Sequence, residues 1–255
     1  MTNNSAQVLI QFNNLTLGYE MHPAVHHLQG QVLSGDLLAV VGPNGGGKST
    51  LLKGLMEEIR PLGGTISWPL GRSQLAYLPQ RARLDLDFPM RADDLVSLGH
   101  WPRRGAFAAI KSIDKQAVEQ ALKEVGLTGF GKRSLDSLSG GQLQRVLFAR
   151  LLLEDAPLIL LDEPFAAVDE ATTADLLALI KQWQAEGRTV IAVLHDLHQV
   201  RTHFPKCLLL ARDVLGMGAT EAVLTAENLV KARKMQVLAD PLAPICDLDE
   251  VEVQG

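Results

Sequence analysis

The chain has 255 residues, 47% of them hydrophobic and 21% charged, with a formal net charge of −5, which suits one large α/β domain or two small ones with a normal buried core. That balance excludes a general nucleic-acid footprint, and two distant cysteines, Cys207 and Cys246, exclude a disulfide framework and fit a reducing compartment. A polar N-terminus lacks the build of a signal peptide, and no apolar run approaches the roughly 20 residues of a bilayer span, so a soluble chain is expected whose membrane role needs a partner.

In chain order, residues 8–12 and 15–19 read as a strand pair with Asn13-Asn14 as the turn, and 24–33 as another extended stretch closed by Ser34-Gly35-Asp36. The apolar run 37–41 then enters Gly42-Pro43-Asn44-Gly45-Gly46-Gly47-Lys48-Ser49-Thr50, and 51–56 continues in a helical pattern. Strand, glycine-rich loop and helix in this order are the setting of a phosphate-binding P-loop. Glycines let backbone N–H groups curl around a β-phosphate, and the helix N-terminus adds free donors and the positive end of its dipole. Lys48 is expected on the β/γ-phosphates as a point charge, and the Ser49 hydroxyl on Mg²⁺.

Strands are expected over 65–68 and 74–80, the latter stopped by Pro79. From 81 to about 153 the pattern turns helical, with candidates at 92–100, 114–125 and 140–153. Alternation returns with a strand at 158–161, a helix at 171–185, a strand at 189–194, a helix at 196–204 and a strand at 207–211. A hairpin is expected around Gly216-Met217-Gly218, then a short helix over 226–233 and an acidic tail from 246. Arg103-Arg104 and Arg81/Arg83 read as solvated or partner-facing basic spots. No internal repeat or linker is visible.

Two further stretches carry chemistry. The strand 158–161 delivers Asp162 and Glu163 at its end; beside a P-loop, Asp162 suits the Mg²⁺ and Glu163 suits a general base on the attacking water. In Leu138-Ser139-Gly140-Gly141-Gln142-Leu143-Gln144-Arg145, Ser139 reads as a helix N-cap with glycines allowing a tight entry. Such a start, a hydroxyl beside bare N–H groups, is also an anion site.

This last stretch resembles the signature motif of the ATP-binding-cassette (ABC) ATPases, and the resemblance extends over nearly the whole chain. It implies an α/β fold: a P-loop NTPase core of ABC type with an antiparallel β-subdomain and an inserted helical lobe. The chain would be a single ABC domain, its core lobe 1–80 and 155–255 and its helical lobe 81–154. It implies ATP and Mg²⁺ as ligands and a head-to-tail homodimer in which Ser139, Gly140, Gly141 and Gln142 face the partner's nucleotide. By the same resemblance Tyr19 stacks on adenine, Gln80 senses Mg²⁺ and the attacking water, Asp169 lies at the dimer interface and His195 contacts the γ-phosphate. Two positions depart from the family: Gly46 stands where Ala or Ser is frequent and is expected only to loosen the loop, and Ala166 replaces a frequent serine.

The stretches around Pro79-Gln80-Arg81, Asp85-Leu86-Asp87-Phe88-Pro89, Leu95 to His100 and Glu163-Pro164-Phe165-Ala166 look like the ATPase subunits of bacterial zinc and manganese importers. The implied partners are a membrane permease and, indirectly, an extracytoplasmic metal-binding protein; the implied place is the cytoplasmic face of the inner membrane. Iron-chelate and cobalamin importers share parts of the pattern. An exporter subunit and a soluble ABC ATPase are the other readings, although the long coiled coils, zinc insertions or second cassette usual in the soluble class are missing from the sequence. His22, His26 and His27, and His195, His198 and His203, form two histidine groups. A metal site needs three or four converging ligands; on the strand reading His26 and His27 point to opposite faces, so neither group is expected to bind metal.

Overall fold

A computed structural model describes residues 7–69, 74–80, 89–101, 112–166 and 168–237. The chain divides into two units, Met1–Arg72 with Ile191–Gly255, and Ser73–Val190. Its elements begin with β1 (Val8–Tyr19), β2 (His22–Leu33), β3 (Leu37–Val41), α1 (Lys48–Leu55), β4 (Gly63–Ser67) and β5 (Leu75–Leu78). Helix α2 (Ala92–Ser97) runs on as a 3-10 turn, Leu98–His100, and is followed by α3 (Ser112–Glu124), α4 (Gly140–Glu154), β6 (Leu158–Asp162) and α5 (Glu170–Ala185). The chain continues as β7 (Thr189–Val193), α6 (Leu197–His203), β8 (Lys206–Ala211), β9 (Asp213–Ala219), α7 (Thr220–Val223) and α8 (Ala226–Val237).

In the first unit the strands lie in the order β4-β1-β2-β9-β8-β3. β1 pairs antiparallel with both β2 and β4, and β8 pairs parallel with β3 and antiparallel with β9. Every residue of β3 is buried, which is why this strand reads as an uninterrupted apolar run rather than an alternating one. Helix α1 lies close over β1: a Cβ added at Gly54 would come within 2.6 Å of the Leu17 side chain.

β1 is one long strand, where a turn was expected at Asn13-Asn14. Asn14 takes φ 48 inside the strand, and the register against β2 shifts between Phe12 and Leu15. Its amide N–H donates to Gln29 Oε1 at 2.9 Å, and its Oδ1 lies 2.8 Å from His27 Nδ1. Asparagine tolerates the left-handed region, so the pair that looks like a turn makes a β-bulge instead. His27 also adopts positive φ, 47°, so the alternation expected for His26 and His27 is interrupted, and their rings sit 6.3 Å apart.

A second correction concerns the C-terminal hairpin. Its turn falls at Arg212, φ 66, and Gly216, Met217 and Gly218 pair within β9 against Leu209, Leu208 and Cys207. The glycines supply room instead of a turn: a Cβ at Gly216 would meet Val223 at 3.2 Å.

In the second unit β5 runs parallel to β6, in register from Leu75↔Leu158 to Leu78↔Leu161, and all of β6 is buried. Helices α2 and α3 pack on α4, whose Val146, Leu147, Phe148, Ala149 and Leu151 are buried. A helix apolar on most sides is one enclosed by neighbours. Phe148 stacks on Trp183 of α5, ring centroids 5.5 Å apart and 18° from parallel. In sequence the helical segment α2–α4 is inserted between β5 and β6. The fold is therefore α/β, with a P-loop core, an antiparallel sheet portion and an inserted helical portion. Arg81, Arg83, Asp85, Asp87, Phe88, Arg103, Arg104, Cys246 and the acidic tail lie outside the described residues.

Candidate active site

The first unit carries the phosphate loop. Gly42 and Gly47 take φ 151 and 93. A Cβ would drive Gly42 into the Leu210 carbonyl oxygen and Gly47 into that of Ala24, so backbone curvature and close approach both demand glycine at these two positions. Gly46 is also enclosed, with a Cβ there 2.8 Å from Leu210 O. Its N–H donates to Pro43 O at 3.1 Å, and its carbonyl accepts from Arg212 N at 3.0 Å. The loop is thus tightened at Gly46, where loosening was expected, because the β8–β9 turn backs it. Asn44 and Gly45 are exposed, whereas Gly46, Gly47 and Lys48 are buried and Ser49 is exposed.

The Lys48 ammonium donates to the carbonyls of Gly42 and Pro43, 2.9 Å each, and the residue is only 7% exposed. A cation is therefore enclosed among the curled backbone of the loop. Thr50 is buried behind it in α1. No acidic residue occupies the first turn of α1, so the positive end of the helix dipole is not offset there. Tyr19 is 45% exposed at the end of β1. Lys53, in the last turn of α1, donates to the Tyr19 hydroxyl at 2.9 Å and lies 5.2 Å from its ring centre. Lys53 went unnoticed in the sequence, where nothing separates it from any other surface lysine.

His195 is exposed, one residue beyond Leu194, whose N–H donates to Val40 O at 3.1 Å. This bond carries the histidine to the end of β3, where the phosphate loop begins. Asp196 then caps α6 through Oδ1, accepting from His198 N and Gln199 N at 2.8 and 3.2 Å. Among the described residues no group of three or more His, Cys, Asp and Glu could hold a metal ion. His26 is half-buried, and burial lowers its pKa while the nearby Asp213 carboxylate opposes that shift.

The second unit carries the carboxylates. Asp162 closes β6, 7% exposed. Glu163 follows at φ 52, a conformation that costs a non-glycine residue of order 1–2 kcal/mol. Gln80, beyond the end of β5, donates through Nε2 to Glu163 Oε2 at 2.9 Å. Tyr77 on β5 places its hydroxyl 3.4 Å from Asp162 Oδ2. That residue also went unnoticed; its only sequence signal is a polar tip in an otherwise apolar strand.

Ser139 caps α4 as expected from the sequence. Its Oγ accepts from Gln142 N at 3.2 Å, and Gln142 Oε1 accepts from Ser139 N at 3.1 Å, a reciprocal capping box. Asp169 caps α5 through Oδ1, accepting from Thr172 N at 2.8 Å, while its Oδ2 accepts from the Thr172 hydroxyl at 2.9 Å. These bonds from Thr172, with a smaller contribution from the Arg145 charge, hold the Asp169 carboxyl below its ordinary value. The two helix starts adjoin: a Cβ at Gly141 would lie 3.0 Å from Thr172 Oγ1 and 3.2 Å from Asp169 Oδ2. Arg145, one turn into α4, pairs with Asp175 at 2.6 Å and donates to Val125 O at 3.0 Å, fixing α4 against α5 and α3.

Comparison with known proteins matches the ABC transporter family over residues 25–166. The chain is 40% identical over 225 residues to the manganese transport system ATP-binding protein MntB of Listeria monocytogenes, covering 86% of this chain and 94% of that one. It is 37% identical over 230 residues to the zinc transport system ATP-binding protein TroB of Treponema pallidum, covering 88% and 86%. Among solved structures it is similar to an inward-facing ABC transporter assigned to the metal-chelate type, with a TM-score of 0.81, 35% identity and coverage of 89% and 90%. It is also similar to an ATP-binding cassette in a dimeric post-hydrolysis state bound to ADP and phosphate, with a TM-score of 0.72, 25% identity and coverage of 83% and 98%. Likeness over 86% and 88% of the chain to ATP-binding subunits of transport systems, with a family match over residues 25–166, means that the chain belongs to the ABC transporter family as one of its ATPase subunits.

Proposed function

We propose that this ATPase powers a membrane importer of a divalent transition metal, zinc or manganese. The observation that carries the reading is the similarity to the manganese and zinc transport proteins over 86% and 88% of the chain. No helix among the described residues is long and apolar enough to cross a membrane, so the reading assigns the metal's passage to a permease. The partners are then a second copy of this chain paired head to tail, the permease, and an extracytoplasmic metal-binding protein, with this subunit on the cytoplasmic face of the membrane.

In this reading the loop Gly42 to Thr50 holds the ATP phosphates, with Lys48 on the β/γ-phosphates, and Tyr19 stacks on adenine. The tight loop curvature that only glycine allows at Gly42 and Gly47, and the enclosed ammonium of Lys48, fit a polyphosphate. The Ser49 hydroxyl, the Asp162 carboxylate and the Gln80 amide oxygen are the oxygen donors that suit Mg²⁺. Bound Mg²⁺ supplies neutralisation of charge on the β- and γ-phosphates. Glu163, oriented by its bond from Gln80, takes the proton of the attacking water. His195 donates to the γ-phosphate. Ser139, Gly140, Gly141 and Gln142 approach the nucleotide of the partner subunit, and Asp169 lies at that interface. ATP binding closes the dimer, hydrolysis reopens it, and the differing contacts of the two states move the permease.

Metal content of intact cells tests the proposal, because affinity alone misleads: Zn²⁺ outcompetes Mn²⁺ at most nitrogen and oxygen sites. A deletion strain should accumulate less zinc or manganese under chelation. Complementation with the unaltered gene should restore it, and complementation with Lys48→Ala should not. Unchanged zinc and manganese content across all three strains rules out the metal-import reading.

A further inference from the structure

We propose that Tyr77 is a positioning residue for Asp162, held in place from the signature helix α4 by Arg150. The inference rests on the proposed role of Asp162 toward Mg²⁺. Three features of the second unit support it.

The first is register. Tyr77 pairs with Leu160 across the parallel β5–β6 ladder. Side chains alternate along a strand, so Asp162 shares a face with Leu160 and sits diagonally from Tyr77. A diagonal neighbour lies roughly 7–8 Å away at the backbone, a gap that aromatic side chains span and short ones do not. The phenol reaches across it and donates to Asp162 Oδ2 at 3.4 Å.

The second is anchoring. The Tyr77 carbonyl accepts from Arg150 Nη2 at 2.7 Å, a charge-assisted bond of the stronger kind. Arg150 is itself fixed by an ion pair with Glu154 one turn on, at 3.0 Å, with side chains only 19% and 11% exposed. Burial raises the Glu154 pKa, and the Arg150 charge opposes that rise. Gly99 lets the preceding turn pack directly on this part of α4, since a Cβ there would lie 2.5 Å from Arg150 O.

The third is what the strand leads to. Beyond Tyr77, β5 ends and delivers Gln80, which donates to Glu163. Helix α4 starts at the Ser139 cap and near its other end grips β5 at Tyr77, the strand that leads on to Gln80. Displacement of α4 along its axis is therefore transmitted to Tyr77 and, through its phenol, to the side-chain orientation of Asp162. Groups that orient a metal-holding carboxylate change metal affinity or activity by about 10–100-fold when removed. Truncation of the phenol alone is expected near the lower end of that range, because 3.4 Å is a long bond.

The test is Tyr77→Phe in the full-length protein, with binding of the non-hydrolysable analogue AMP-PNP measured by calorimetry with and without Mg²⁺. Affinity without Mg²⁺ should be unchanged, the gain on adding Mg²⁺ should shrink about 10-fold, and the melting temperature should stay at the wild-type value. Arg150→Lys, which keeps a charge for Glu154 but loses the guanidinium reach to the Tyr77 carbonyl, should shrink the same gain in the same direction. A wild-type Mg²⁺ gain in Tyr77→Phe would overturn the proposal. So would an equal loss of affinity with and without Mg²⁺ accompanied by a lowered melting temperature, which is the mark of a packing role. Unaltered protein that binds AMP-PNP identically with and without Mg²⁺ would overturn the Asp162 assignment itself, and this inference with it.

Discussion

Gln80 Nε2 donates to Glu163 Oε2 at 2.9 Å, so the residue proposed to sense Mg²⁺ and the attacking water and the proposed general base are joined directly. The bond constrains Glu163 at a point where its backbone is already held at φ 52. A base fixed in this way meets a water with little reorganisation, and its removal should show in turnover rather than in binding. Glu163→Gln is expected to keep ATP affinity while slowing hydrolysis by roughly 10²–10⁴-fold. It should also accumulate an ATP-stabilised dimer on size exclusion. Normal hydrolysis by a monomeric Glu163→Gln protein would contradict both the base assignment and the paired arrangement.

The loop glycines are not equivalent. Gly45 has φ 76 but nothing within 4 Å of an added Cβ, whereas Gly47 has φ 93 and a Cβ there collides with the Ala24 carbonyl. Gly45→Ala should therefore cost only backbone strain, about 1 kcal/mol, and retain nucleotide binding. Gly47→Ala adds a backbone collision that no side-chain motion relieves, and should abolish binding. Paired melting curves and nucleotide titrations compare them; similar behaviour of the two variants would mean that the loop is not packed against β2 as described.

Ser139 serves its own helix through the capping box with Gln142, and in the proposed dimer it serves the partner's nucleotide. Ser139→Arg should impair hydrolysis yet spare nucleotide affinity of the isolated monomer, with loss of the cap costing about 1 kcal/mol. Mixing Ser139→Arg with Lys48→Ala chains forms dimers with one composite site carrying both lesions and one carrying neither. Partial activity should return. Mixed dimers shown to form but inactive at every ratio would argue against head-to-tail pairing.

Asp169 gives a pH dependence of known sign. Its folded-state carboxyl lies below the ordinary value of 3.8 because the Thr172 N–H and hydroxyl both donate to the ionised form. A depressed pKa contributes stability that is complete above the unfolded value and is lost as pH falls through the folded one. Asp169→Ala should thus lower the melting temperature near neutral pH, and the gap from the unaltered protein should narrow as the pH falls below 3.8. Asp169→Asn, which still caps, should stay close to wild type at neutral pH. A gap that does not change with pH would assign the effect to packing.

Much of the site was legible because its parts are local. Strand, glycines, lysine and helix follow one another from Leu37 to Leu55, and each demands its neighbour's conformation within a few residues. The same holds for the caps at Ser139, Asp169 and Asp196 and for the apolar strand that ends at Asp162. Resemblance to the ABC family added the roles proposed for Tyr19, Gln80 and His195, which residue chemistry alone leaves open.

What escaped was set by partners distant in the chain. Asn13-Asn14 carries the local chemistry of a turn, but β2 and β4 pair with β1 on both sides and draw it into one bulged strand. The reversal at Arg212 has no turn residue to announce it; it is fixed by the pairing of β8 with β9 and by bonds from its backbone to Gly46 and His26. Tyr77 and Asp162 meet across 85 positions of sequence, and Gly141 meets Asp169 through the packing of α4 beside α5. Spacing and periodicity report what a residue asks of its near neighbours, whereas these contacts depend on which strand and helix faces close against each other, a choice made by burial of the core as a whole.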